Sequence, residues 1–255
     1  MFKHLKKLGA ILSILAVLGA PVMASAATVN ALVVAGGGGG AGSNGGGGGG
    51  GQVVYDAAFV VTPQAYPIVI GDAGIAETDG NNSTFSTITA LKGLLGNQAG
   101  TGGNSGSGFT GGATGGVNSG GGGAGDSANG TAGSGSIGGN GGAGTANSIS
   151  GASVTYAGGG RGQGQASDGT SGVGFDKPGG GGIGSGGTGQ NGIVIIAFPT
   201  DGSTGVGTGS TGGTITTVGG NQIHTFTTSG TFTMVAPVTI IPYSITSDLI
   251  LFGEW

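Results

Sequence analysis

The side chains that could perform acid–base or metal chemistry are few. After the first 26 residues the chain has one histidine, His224, and the sequence has no cysteine anywhere. A single imidazole cannot form a multi-histidine metal site, and the absence of cysteine excludes disulfides, thiolate zinc sites and cysteine nucleophiles. His224 stands in a stretch of strand-like alternation, so we expect it to be a surface or packing residue.

Two groups of carboxylates have spacings that invite comparison with catalytic pairs. Asp168 and Asp176 lie eight residues apart, and Asp72 precedes Glu77 and Asp79. Paired carboxylates hydrolyse glycosidic bonds only at fixed separations, and loops this rich in glycine would hold them poorly. We therefore interpret them as solvated charges, and we predict no catalytic residues and no enzyme activity.

The letters VVAGGGGGA at 33–41 match the strand and GxGxxA turn of a dinucleotide site. Such a site needs a following helix whose N-terminus holds the pyrophosphate, whereas residues 42–51 are again mostly glycine. Any glycine run matches this pattern trivially, and no run leads into the GK[ST] of a phosphate-binding loop. The sequence thus predicts neither a cofactor nor a metal.

Residues 1–26 have the three-part pattern of a secretory signal peptide. Three lysines precede an apolar run at 8–20, and Ala24 and Ala26 form a small-x-small cleavage site. The apolar run is shorter than the ~20 residues that span a bilayer. We predict cleavage after Ala26 and a mature form without a membrane span, with an uncleaved anchor as the alternative.

Cleavage would leave an acidic chain. The mature form would keep three of the six basic residues and all ten acidic ones, so its net charge would be 3 − 10 = −7. So few cations cannot neutralise many phosphates, which argues against nucleic acid as a partner. Because an exported domain without cysteine is ordinary in bacteria, we predict a bacterial protein that is secreted or held at the cell surface.

The high glycine content limits which secondary-structure elements could position a functional site. It makes up 70 of 255 residues, about four times the usual ~7%. Short runs rich in β-branched residues, bounded by glycine, proline or asparagine, predict β-strands between the glycines. These runs lie at 28–35, 52–62, 67–71, 83–90, 153–157, 193–198, 214–218, 222–228 and 231–234. The run at 193–198 is continuously apolar, which predicts a strand covered on both faces.

The glycine tracts, such as 36–40 and 45–51, have two possible interpretations. They could be disordered linkers, because glycine loses the most backbone entropy on ordering. They could instead be polyproline-II-like helices with three residues per turn, packed so that their N–H and C=O groups pair laterally. Strands tether both ends of the glycine-rich region, and its sparse apolar residues would seal a bundle as plugs. We favour an all-β fold in which short strands, in a sandwich or barrel-like arrangement, frame a bundle of polyglycine-II helices, with no α-helix after the signal peptide.

The chain divides into four predicted segments. A signal peptide at 1–26 precedes a glycine-rich domain at 27–199. The composition of 200–213 predicts a flexible polar linker, and 214–255 a tail module of β-strands. Residues 214–234 either fold back to complete the first domain or belong to a shortened repeat array.

A family resemblance rests on LVVAGGGGGAGSNGGGGGGG at 32–51 and NGIVIIAFP at 191–199. Together with the sequence between them, these motifs resemble the glycine-rich, polyglycine-II type domain of phage tail-fibre adhesins and of predicted bacterial secreted proteins. The stretch TGGTITTVGGNQIHTFTTSGTFT at 211–233 is similar to the opening strands of that family, here placed after the glycine region. The resemblance implies a structural or surface-binding role with no catalytic residues.

These observations predict a secreted, non-enzymatic protein with a structural or adhesin-like role. It would present loops to a cell-surface or glycan ligand, and its exposed strands could form a homo-oligomer. The candidate ligand-binding residues are Phe109, Arg161 and Phe175, although both phenylalanines also fit as packing plugs. The alternative is a phage virion component, either a tail-fibre adhesin or a tail-associated protein.

Overall fold

The computed structural model describes residues 26–238. Within this range the regular elements are eleven β-strands, with no α-helix, so the prediction of an all-β fold is confirmed. Residues 1–25 of the predicted signal peptide, which include Ala24, lie outside the described residues, whereas Ala26 is described. The part of the predicted tail after residue 238 also lies outside them.

The strands are short and mostly follow the predicted runs. They are β1 (Ala27–Val34), β2 (Val53–Val61), β3 (Ala65–Val69), β4 (Ser83–Phe85), β5 (Ile88–Ala90), β6 (Thr145–Asn147), β7 (Val154–Tyr156), β8 (Ile193–Pro199), β9 (Thr214–Val218), β10 (Asn221–Phe226) and β11 (Gly230–Thr233). The run predicted at 83–90 is a hairpin, with Ser86 at φ 52° in its turn. β6 was not predicted, because its sequence TAN contains only one β-branched residue.

Five strands form an antiparallel sheet in the order β2-β1-β8-β10-β9. The first and the eighth strand lie side by side, with Leu32 opposite Ile195. β10 continues the sheet, with Ile223 opposite Ala197. The strands that follow the glycine-rich region therefore complete a sheet that begins before it.

A second antiparallel sheet has the order β11-β3-β4-β5, and β6 pairs only with β7. The two larger sheets face each other across a shared side-chain cluster, the main core, whose largest fully buried members include Phe85, Phe198 and Phe232. Phe85 and Phe232 meet edge-on with ring centroids 6.3 Å apart. Offset aromatic contacts of this kind stabilise a core beyond the area that they bury.

β1 and β8 are buried on both faces. Val194, Ile196 and Phe198 point into the main core, whereas Ile193 and Ile195 pack in a second cluster with Tyr156 of β7. The prediction of a doubly covered strand at 193–198 is confirmed.

Residues 200–213 pack against the strands on either side of them. Val206 is fully buried in the main core. The N–H of Thr28 donates to the Thr204 carbonyl at 3.0 Å, and Thr211 and Thr233 exchange two backbone hydrogen bonds.

Candidate functional site

The backbone between the strands is arranged in extended rows that bond to one another. In the row at 36–41 each N–H donates to another segment over 2.8–3.0 Å, and the receiving segment recurs every three residues. The donors and acceptors are Gly36 to Asn81, Gly39 to Thr78, Gly37 to Gln190, Gly40 to Gly187, Gly38 to Gly49, and Ala41 to Gly46. The row therefore bonds along three directions in turn.

The row at 46–51 also bonds to three other rows in turn, both through its N–H groups and through its carbonyls. Its N–H groups donate to rows at 94–97, 121–124 and 179–182, and its carbonyls accept from rows at 38–41, 103–106 and 160–163. Since a buried peptide group must find a partner, this row satisfies its donors entirely through other backbone.

Side chains have no room in these rows. A Cβ on Gly48 would lie 2.1 Å from the carbonyl oxygen of Gly38, and one on Gly49 would lie 2.0 Å from that of Asn104. A real Cβ essentially never comes within 3.0 Å of such an atom. The interior of this region is therefore made of peptide backbone.

The rows turn back at one common end, away from the sheets. β1 leads outward along 36–41, and the turn at 42–45 brings the chain back to β2. Neighbouring rows turn at the same level, as the hydrogen bonds of Glu77 to Gly40 and of Gln163 to Gly45 indicate. We call these turns the tip loops; they lie at 42–45, 75–78, 97–100, 115–119, 134–137, 163–168 and 183–187.

Three large apolar side chains of the tip loops are exposed. Val117 is 90% exposed, Ile75 64% and Ile137 53%. A groove of about 400 Å³ lies between three tip loops and is lined by Asn44 and Gln98 together with Val117. The sparse apolar residues of this region were predicted to seal the bundle as plugs, and for Val117 and Ile137 this is wrong, because both side chains are exposed to solvent.

The three ligand-binding candidates do not form one site. Phe109 and Phe175 are half-buried in turns at the sheet end, whereas Arg161 lies in the row that bonds Gly48 and Gly45. At about 3 Å per residue of extended backbone, Arg161 stands roughly 10 Å along the rows from the phenylalanines. Its guanidinium pairs with Asp168 of a tip loop at 3.2 Å, and no hydrogen bond or ring contact within residues 26–238 joins any two of the three candidates.

Asn44 and Gln98, which line the groove between the tip loops, were not predicted from the sequence. Asn44 has a φ of 55°, a conformation that asparagine tolerates better than most residues. The signal for it was the interruption GSNG inside a long glycine run, because a non-glycine pair there marks a turn.

The buried carboxylate of Asp126 and the buried imidazole of His224 are held by structural hydrogen bonds. Asp126 accepts from the Val53 N–H at 2.9 Å and from the hydroxyls of Ser107 and Thr145. His224 is fully buried and bonds the Gly212 carbonyl through Nδ1 at 2.7 Å. Burial lowers the pKa of His224 below its ordinary value, and the bond to Gly212 opposes this in part.

The carboxylates and the single histidine are dispersed over the part of the chain that the structure describes. No group of three or more His, Cys, Asp or Glu residues there stands close enough to hold a metal ion. Across the same residues, no helix has the length and apolar character needed to cross a membrane.

The all-β frame and the backbone-packed rows define a glycine-rich domain. A family model described as "Glycine-rich domain" matches residues 19–199, and the chain belongs to this family. No curated protein and no solved structure matches it significantly.

Proposed function

We propose that this chain is an exported, non-enzymatic bacterial protein with an adhesin-like role, in which the glycine rows hold the tip loops for contact with a cell-surface ligand. The observation that carries the proposal is the gathering of the tip loops at one end of rows that have no room for side chains. Binding residues are commonly found on loops that a rigid scaffold positions.

We infer that the rows are polyglycine-II helices. Their three-residue repeat of hydrogen-bond partners supports this, because such a helix has three residues per turn and no internal hydrogen bonds. None of the glycines at 36–40 or 45–51 adopts a left-handed φ, which is also consistent with a regular extended helix.

The exposed side chains favour the tip loops as the contact surface. Val117, Ile75 and Ile137 of the tip loops are apolar and more than half exposed, so each is accessible to pack against a ligand. A non-enzymatic role is consistent with the structural hydrogen bonds that hold Asp126 and His224.

The test compares the two ends of the rows. Purified mature chain, fluorescently labelled, is mixed with intact bacterial cells of several envelope types, and retention after washing is measured. A tip variant with Val117→Asp and Ile137→Asp should lose at least about tenfold in retention, because charge opposes burial of these sites in an interface. Val173→Asp is the matched control, since Val173 is 68% exposed in a turn at the sheet end. Equal retention of both variants would contradict the proposal.

The export part of the proposal has its own test. Mass spectrometry of the protein from the producing cells gives its amino terminus. A chain that begins at Ala27 supports export, whereas an intact Met1 would favour the phage virion component.

A further inference from the structure

A second groove lies on the five-stranded sheet, beside the β6–β7 hairpin and away from the tip loops. It has a volume of about 480 Å³. Its floor comes from adjacent strands, because Asn30 of β1 is opposite Ala197 of β8, and Ala197 is opposite Ile223 of β10. We call it the sheet groove.

Three amide side chains surround this floor. Asn30 and Asn221 make no side-chain hydrogen bond within residues 26–238, and the Asn147 Oδ1 accepts only from the N–H of Ile149, at 2.8 Å. Each amide offers two N–H donors and one carbonyl acceptor. The groove thus holds donors and acceptors that are free to bind a ligand.

An aromatic side chain completes one wall. Tyr55 of β2 is 46% exposed, and its hydroxyl has no partner in the described part of the chain. It lies opposite Leu32, next to the strand of Asn30. Its ring is free to pack against an apolar ligand face, while its hydroxyl remains available for a hydrogen bond.

The absence of charged residues in the sheet groove limits the kinds of ligand that it can bind. No residue that lines the sheet groove carries a charge, so phosphates, carboxylates and ammonium groups would be desolvated there without a counter-ion. A wholly apolar ligand would in turn leave the amides unpaired. The groove suits a molecule that is uncharged and rich in hydroxyl groups and that also has apolar C–H faces.

We propose that the sheet groove binds a neutral oligosaccharide. The sugar hydroxyls pair with the amides of Asn30, Asn147 and Asn221, and one pyranose face packs on the ring of Tyr55. This site is separate from the tip loops and does not depend on the function proposed for them.

The experiment uses the full mature chain and a printed array of neutral oligosaccharides that includes chitohexaose, cellohexaose, maltohexaose and mannohexaose, with polygalacturonate as the anionic probe. We expect saturable binding to at least one neutral chain and weaker binding to polygalacturonate. Asn30→Ala and Asn221→Ala should each weaken it roughly five- to tenfold, as expected for the loss of a hydrogen bond. Tyr55→Ala should weaken it about as much, whereas Tyr55→Phe keeps the ring and should weaken it less.

Two controls keep this result independent of the tip loops. The tip variant with Val117→Asp and Ile137→Asp should bind the oligosaccharide as the unmodified chain does, and thermal unfolding checks that every variant remains folded. The proposal is overturned if no neutral oligosaccharide on the array binds, if polygalacturonate binds best, or if a folded variant with both Asn30→Ala and Asn221→Ala binds undiminished.

Discussion

The sheets and the glycine rows have solid interiors made of different atoms. In the main core the buried volume is filled by side chains such as Phe85, Phe198 and Phe232. In the rows the same role falls to peptide groups that bond along three directions. The two regions should therefore be destabilised by opposite kinds of substitution. Removing side-chain atoms should weaken the main core, whereas adding them should weaken the glycine rows.

Asp126 connects the two interiors. It lies at the sheet end of the row at 120–125, and its carboxylate holds the first N–H of β2 together with hydroxyls from a turn and from β6. The regions are therefore linked by charge-assisted hydrogen bonds as well as by the continuous chain.

The largest expected effect is that of Gly48→Ala. The added methyl carbon would meet the Gly38 carbonyl oxygen at 2.1 Å, so the rows would have to separate and several buried hydrogen bonds would break. At about 1–3 kcal/mol for each buried group left unpaired, we expect a loss of roughly 5 kcal/mol in the free energy of unfolding, measured by denaturant titration.

Gly42→Ala is the matched control, at a glycine of the tip loop that directly precedes the row of Gly48. A Cβ on Gly42 meets only the Glu77 Oε1, at 3.6 Å, and no left-handed φ is needed there. We expect a change within about 0.5 kcal/mol. If both alanine variants were equally stable, the view that the rows have no room for side chains would be wrong.

Phe85→Ala tests the opposite failure in the main core. Phe85 is fully buried and contacts the rings of Phe59, Tyr66 and Phe232. Truncation leaves a cavity, and we expect a loss of about 3–5 kcal/mol in the same titration. A loss below about 1 kcal/mol would mean that the side-chain interior contributes little.

Asp126→Ala tests the hydrogen bonds at the junction between the two regions. It removes the acceptor of one N–H and two hydroxyl groups, so we expect a loss of about 2–3 kcal/mol. Asp126→Asn keeps one carbonyl oxygen and should cost less. Hydrogen exchange should show faster exchange at the Val53 amide in the alanine variant, and unchanged protection there would refute this role.

The smallest expected change in the free energy of unfolding is its pH dependence, which comes from His224. Its burial lowers the pKa in the folded state, so below pH 6.5 the unfolded chain binds a proton that the folded chain does not. Stability should therefore fall as the pH drops from 6.5, by at most about 1.4 kcal/mol per pH unit. The His224→Gln variant should lack this slope between pH 7 and 5.5, and an equal slope in both proteins would exclude His224 as its source.

The sequence predicted most strands because β-branched runs and their glycine or proline boundaries are local signals. It did not predict which rows pair, since glycine has no side chain that could encode a register. The position of Arg161 away from Phe109 and Phe175 follows from that pairing and was likewise not predictable. Val206 is a single apolar residue within a polar stretch, and its burial depends on strands that are distant in sequence.

The pairing of β1 with β8 has a consequence for how the molecule comes to be folded. Asn30 and its partner Ala197 are 197 − 30 = 167 residues apart in the chain, and contacts of such long separation form slowly. The first strand can pair early with the nearby β2, but its pairing with β8 must wait until most of the polypeptide has left the ribosome. Until then the edge of β1 that faces β8 has no partner strand, and the five-stranded sheet cannot be completed.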